Sequence, residues 1–230
     1  MPVRPAMSVD SSAISASEAM RRWAAASDTP RILLVARWPI GTVRAHLLAN
    51  YSALCEAGFR FTFVGPAGES LERLREGFDG IEGLGFVAAP VEDRRCRLWP
   101  TVRALLRDGR FGLLHSHGIT AAVHSALANL GIAVPHLLTL HKPLRPNQFP
   151  GWFGCLKHWM LKRALHQADA IITAGGNGQA NLLEHVPSLR DRVHRLFTIA
   201  EDIRAERLKL LMQSLATRTP VTLPSEPVAA

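Results

Sequence analysis

"FGLLHSHGITAAVHSALANLGIAVPHLLTLH", residues 111–141, reads as strand, helix, strand. "FGLLHSHG" and "PHLLTLH" are short, nearly continuous apolar runs, the pattern of strands buried on both faces. "TAAVHSALANLG" between them is helical and closes on Gly131. A strand, a helix and a second strand joined by short turns make a right-handed crossover, so the two strands lie parallel in one sheet.

The same alternation runs outward in both directions. Upstream, "RILLVARW" (31–38), "FRFTFVGP" (59–66) and "LGFVAAP" (84–90) are strands. Helices follow at 43–58, 70–77 and 98–109; in the first, Val43, Leu47, Leu48, Tyr51, Leu54 and Cys55 share one face. Downstream come a long amphipathic helix over 151–168, a strand "DAIITAGG", a helix "NGQANLLEHV" and a last strand "DRVHRLFTI". The expected fold class is α/β: a Rossmann-like parallel sheet with helices on both faces. The expected division is a leader over 1–29, the Rossmann-like domain over 30–200, and a C-terminal helix with a loose tail over 201–230.

Composition narrows the classes. The 230 residues are 47% hydrophobic, enough to bury a core. No apolar run reaches the roughly 18–20 residues of a membrane span. The leader lacks the apolar centre of a signal peptide, and the odd, scattered Cys55, Cys96 and Cys155 argue for a reducing compartment. The expected location is the cytoplasm. A net charge of +8 favours anionic partners such as phosphate esters, nucleic acid or an acidic membrane face, or reflects free use of arginine.

In an open α/β sheet, ligands bind beyond the C-terminal ends of the strands. After the first strand stands "RWPIGTVR", where Gly41 lets backbone N–H groups approach a ligand at the start of a helix, or Thr42 simply caps that helix. It is neither the dinucleotide fingerprint nor a P-loop. "HSHG" (115–118) and "HKP" (141–143) end two later strands; if those are adjacent, His117 and His141 face one crevice. Imidazoles there can move a proton or bond a sugar hydroxyl, or only satisfy local backbone groups. A metal on His115, His117 and His141 is a rival reading, but no carboxylate or thiolate lies nearby and closed zinc sites need four ligands; none is expected. The helix bearing Trp152, Phe153, Trp159 and Met160 beside Lys157, Lys162 and Arg163 suits an anionic membrane face, or more simply is a core helix with a solvated outer face. Elbow-type nucleophile motifs, C-x-x-C pairs and RNA-binding aromatic signatures are absent.

The order of the glycine loop, "LLHSHG", "VPHLLTLH" and "ADAIITAGGNGQANLLEHVP" resembles the N-terminal half of family-4 glycosyltransferases of the GT-B fold, over about residues 30–198. "RWPIGTVRAHL" and "HKPLRPNQFPGWFGCLKHWML" are similar to a bacterial subgroup with P-x-G-G-x-R after its first strand and an H-D pair before an R-P-x-Q-F-P-like loop. The resemblance implies the acceptor-side half of a retaining, metal-free and cofactor-free hexosyl transfer from a nucleotide-sugar to a hydroxyl acceptor, which is a sugar or a lipid-linked sugar. It implies a cytoplasmic protein of polysaccharide biosynthesis, touching the inner membrane face at most peripherally and binding no nucleic acid. It carries His141 onto the histidine that reaches the reacting sugar. Gly41, Thr42, Arg44, His117 and Gly118 are carried onto the substrate-binding loops. This chain departs from the pattern at Ile40-Gly41, where two glycines are usual, and at Lys142, where an acid is usual. It departs also at "FTIAEDI", where N-G-[IV]-D is expected, and the E-x7-E pair that holds the donor is missing. The expectation is therefore an incomplete enzyme, inactive alone and needing a donor domain; the alternative is a non-catalytic module that binds a glycan or a partner.

Overall fold

A computed structural model describes residues 31–93, 95–145, 148–173, 177–195 and 201–217, without the side chains of residues 195 and 201–207. The proposed leader, the glycines after "DAIITA", residues 196–200 and the tail from 218 lie outside the described residues, as do Pro146 and Asn147 of the loop after His141.

Seven strands form one parallel sheet: β1 (Arg31–Ala36), β2 (Arg60–Pro66), β3 (Leu84–Ala89), β6 (Leu113–His117), β7 (His136–Leu140), β8 (Ala170–Thr173) and β9 (Val193–Arg195). β4 (Val91–Glu92) and β5 (Arg95–Cys96) make a small antiparallel hairpin too short to show in the sequence pattern. The helices are α1 (Thr42–Glu56), α2 (Glu69–Glu76), α3 (Leu98–Arg107), α4 (Ile119–Asn129), α5 (Gly154–Gln167), α6 (Gly178–His185) and α7 (Glu201–Thr217). A 3-10 turn at Pro187–Arg192 leads into β9. The α/β, Rossmann-like expectation holds.

The sheet order is β3-β2-β1-β6-β7-β8-β9. The chain builds outward from β1 in one direction, then returns to lay β6 on its other side. That reversal opens a crevice between the loops after β1 and β6.

Period-two alternation sorts the side chains. Ile32, Leu34, Leu113, Leu137 and Ile172 face one way and pack with Leu47, Tyr51 and Leu54 of α1, Leu71 and Leu74 of α2, and Leu208, Leu211 and Met212 of α7. Leu33, Val35 and Leu114 face the other way, against Val102 and Leu106 of α3 and Ala121 and Ala128 of α4. Leu138, Leu140 and Ile171 share that second face and meet Leu161 and Leu165 of α5 and Leu182 of α6. With both faces covered, every central strand must be apolar along its whole length. β6 and β7 depart from this at their C-terminal ends.

Candidate functional site: a histidine-lined cleft at the strand reversal

β6 reads Leu-Leu-His-Ser-His and is buried throughout. Alternation sends His115 and His117 toward α1 and Ser116 to the opposite face, where Ser116 Oγ meets His136 Nε2 at 2.7 Å. The parallel register sets His117 beside Thr139 of β7. Thr139 and His141, two residues apart, therefore share the face that carries the two β6 histidines.

The hydroxyl of Tyr51, wholly buried on α1, joins this row. Tyr51 Oη lies 2.7 Å from His115 Nδ1 and 3.0 Å from His117 Nε2. His115 Nε2 is 2.8 Å from Thr139 Oγ1, and His117 Nδ1 is 3.1 Å from His141 Nε2. His46, one turn before Tyr51, sets its ring edge-on to His141 with centroids 5.0 Å apart. Asn50 Nδ2 donates to the His46 carbonyl at 2.6 Å. A polar seam thus runs through an otherwise apolar layer.

Burial keeps these rings neutral. It lowers His115 and His117 well below the ordinary histidine range, and neighbouring imidazoles add to the effect. Burial alone lowers His141 and His136 to about 4. The same burial raises the Tyr51 phenol well above its usual value. Neutral rings holding one another's nitrogens are poor metal ligands as they stand, and among the described residues no group of three or more His, Cys, Asp and Glu is arranged to hold a metal ion.

Above the seam lies a cleft of about 860 Å³ bordered by Trp38, Gly41, Thr42, His117, Gly118 and His141. Its lining also carries Arg37, Lys142 and Arg145 and, among the described residues, no carboxylate. That charge suits an anion such as a phosphate. The Arg37 guanidinium sits 4.3 Å over the Trp38 ring at the cleft wall.

Two glycines shape the entrance. Gly41 precedes α1 at φ 53, ψ −126, a backbone state that residues with a Cβ avoid, and it leaves the first N–H groups of α1 uncapped by any side chain. Gly118 precedes α4 at φ 85, and its N–H donates to the Thr139 carbonyl at 2.8 Å, locking the β6 turn to β7.

The structure brings Gly41, Thr42, His117, Gly118 and His141 to one cleft. Arg44 does not line it: it borders an adjoining recess of about 150 Å³ that shares Ile40 and Gly41 with the cleft and also carries Glu69, Ser70 and Arg73, and its buried Nε has no hydrogen-bond partner among the described residues. Sequence reading missed the parts of Tyr51, His46 and Thr139. Tyr51 looked like one more apolar-face residue of α1. The signal available was the i, i+2 spacing of His115 and His117, which forces both rings onto a helix-covered face and so requires a polar partner there.

α5 buries Leu161, Ala164 and Leu165, while Trp152 (87% exposed), Leu156 and Trp159 (63% exposed) stand in solvent. The simpler expectation of a core helix with a solvated outer face is half met, because that outer face is aromatic as well as basic. No helix among the described residues is long and apolar enough to cross a membrane.

The sequence profile of Glycosyltransferase Family 4 matches residues 43–197. Over 88 residues the chain is 35% identical to alpha-maltose-1-phosphate synthase of Mycolicibacterium smegmatis, covering 36% of this chain and 22% of that protein. Among solved structures it is similar to Anabaena Alr3699/HepE in complex with UDP and glucose, with a TM-score of 0.52 and 17% identity, covering 78% of this chain and 50% of that one. It is similar also to a glycosyltransferase from Rickettsia africae, with a TM-score of 0.55 and 13% identity, covering 86% and 52%. At such identities these likenesses speak for the GT-B type of fold alone. The chain spans about half the length of these solved structures and 22% of the curated relative. Since the matching profile takes in more than half of its 230 residues, the chain belongs to Glycosyltransferase Family 4.

Proposed function

We propose that this chain forms the acceptor-side half of a retaining hexosyl transfer from a nucleotide-sugar to a hydroxyl group. The observation that carries the reading is the position of His117 and His141 at the C-terminal edge of the sheet, hydrogen-bonded to each other beneath a cationic cleft at the strand reversal. In the transfer, the acceptor oxygen bonds to the anomeric carbon while the bond from that carbon to the diphosphate breaks. The electron pair leaves on the diphosphate, and the acceptor's proton passes to the departing oxygen. His141 orients the reacting sugar as a neutral ring; the start of α1, which no side chain caps, and the cation of Arg37 steady the charge that develops. The UDP and UDP-glucose seen with HepE support a nucleotide-sugar as donor. A half-length match to such structures supports one half of the two-domain architecture, with residues 30–200 as its body.

The reading places the protein in the cytoplasm, in polysaccharide biosynthesis, with a sugar or lipid-linked sugar as acceptor. Cys55, Cys96 and Cys155 are free thiols, which suits a reducing compartment. Exposed Trp152, Phe153 and Trp159 beside Lys157, Lys162 and Arg163 support peripheral contact with an anionic inner membrane face.

The test is titration of the purified chain, followed by heteronuclear NMR, with maltose and other saccharides and separately with UDP-glucose. Saccharides should shift the His117 and His141 signals, and UDP-glucose should bind far more weakly than to an intact two-domain enzyme. UDP-glucose affinity equal to that of an intact enzyme would overturn the acceptor-side assignment. A second reading, a non-catalytic module that binds a glycan or partner, is favoured by Lys142, whose exposed cation borders the cleft where the resemblance implies an acid. Saccharide binding without transfer, after a donor half of a family member is supplied, would select it.

A further inference from the structure

We infer that His115, Tyr51, His117 and His141 form a single tautomeric unit with two states, so that Tyr51 and His117 decide which nitrogen of His141 carries its proton. Only the use His141 makes of that proton rests on the proposed transfer; the coupling itself does not.

The inference comes from counting hydrogens. Each neutral ring has one N–H, and Tyr51 and Thr139 have one O–H each. Tyr51 Oη touches two ring nitrogens and can donate to one only, so it must accept from the other. If it donates to His115 Nδ1, the hydrogen of His115 sits on Nε2 and points at Thr139 Oγ1. His117 must then donate from Nε2 to Tyr51, which leaves its Nδ1 bare. That Nδ1 accepts from His141 Nε2, and His141 Nδ1 is bare. If Tyr51 donates instead to His117 Nε2, every assignment reverses. His117 then donates from Nδ1 to His141 Nε2, His141 carries its hydrogen on Nδ1, and Thr139 donates to His115 Nε2. One other arrangement makes all four contacts, with Tyr51 accepting from both rings, but it strands the buried Tyr51 hydroxyl hydrogen without an acceptor and carries that desolvation cost; only two arrangements use every hydrogen. In one state all three rings are Nε2–H; in the other all three are Nδ1–H.

The far end of this chain of bonds is unpaired. His141 Nδ1 is buried and has no hydrogen-bond partner among the described residues. In one state that nitrogen is an acceptor and in the other a donor, without any change of charge. A group that supplies or takes a hydrogen bond at His141 therefore selects the state of the whole unit as far as Thr139, on the opposite side of Tyr51. Tyr51, His117 and His115 are positioning residues: they fix the face that His141 shows to whatever occupies the cleft.

The experiment is two-bond nitrogen–proton correlation NMR on the full chain labelled with ¹⁵N-histidine, which reads the tautomer of each ring without any substrate. In the wild type, His115, His117 and His141 should show the same tautomer in the same proportion. Thr139→Val removes this hydrogen bond from both states, leaving a ring N–H unpaired in one and a bare ring nitrogen in the other; the tautomer ratio should move by the difference between those two costs, up to about tenfold, and by the same factor at His115 and His141. Tyr51→Phe, which keeps the ring, should break the match between His115 and His141. With Tyr51→Phe in place, adding Thr139→Val should change His115 alone. Different tautomers at His115 and His141 in the wild type would overturn the inference, and so would ratios that stay matched in Tyr51→Phe. If Tyr51→Phe fails to fold, the joint shift in Thr139→Val still decides. A failed transfer assay leaves all of these readouts intact.

Discussion

Acidification should unfold this protein unusually early. His115, His117, His136 and His141 are buried and held neutral, with His136 and His141 lowered to about 4. In the unfolded chain each takes up a proton near pH 6.5. The folded pKa lies below the unfolded one, so the unfolded state binds more protons and stability falls as pH drops through 6.5, until the folded rings themselves titrate near 4. For a ring that stays neutral when folded, lowering the pH from 7 to 5 costs about 2 kcal/mol. Four such rings lose roughly 7 kcal/mol, comparable to the whole stability of about 5–15 kcal/mol of an ordinary domain. Near pH 5.5 the slope should approach about 5 kcal/mol per pH unit, the signature of nearly four protons bound on unfolding. Urea denaturation followed by tryptophan fluorescence, repeated in half-unit steps from pH 7.5 to 4.5, measures it. His136→Gln, which takes one ring out of the count, should lower the slope by about one proton. A slope of less than one proton in the unaltered chain would refute the neutral, buried assignment of the four rings.

Other substitutions report on single parts. Tyr51→Phe leaves one ring N–H and one ring nitrogen without a partner in the core and should cost about 2–4 kcal/mol in urea denaturation at pH 7. Gly41→Ala meets no atom within 4 Å of the added Cβ, so its cost is that of the backbone at φ 53, ψ −126 alone, about 1–3 kcal/mol by thermal unfolding. Trp159→Lys should change stability by less than about 0.5 kcal/mol, because the ring is exposed, yet reduce co-sedimentation with vesicles rich in phosphatidylglycerol. His141→Ala, combined with a donor half, should abolish transfer while circular dichroism stays unchanged.

The parallel sheet was legible because its inner strands are apolar runs, several of them stopped by a glycine, a proline or a histidine, as "FRFTFVGP" and "LLTLH" show. The cleft was legible for the same reason: strand ends carry the residues that break the apolar pattern, and adjacency of β6 and β7 brought His117 to His141. What stayed hidden depends on contacts distant in sequence. Nothing local to Tyr51 tells that its hydroxyl meets rings 64 and 66 residues away. Arg44 follows Thr42 by two positions, but two residues on a helix turn the side chain by about 200°, which carries it out of the cleft. The β4–β5 hairpin has two residues per strand, too few for alternation to register. The outward aromatic stripe of α5 was visible as composition, and only packing of Leu161 and Leu165 told which side was outside.

Coupling of the rings also constrains how the seam can change over generations. Loss of the Tyr51 hydroxyl unsettles rings on two strands at once, so a first substitution there is expensive and a second at Thr139 or His115 is cheaper than it would be alone. The seam should therefore persist whole in a lineage or be replaced whole by apolar residues, with intermediates rarely surviving. Tyr51→Phe and Thr139→Val together should cost less stability than the sum of the two, and a related chain that lacks the tyrosine should lack the histidine pair as well.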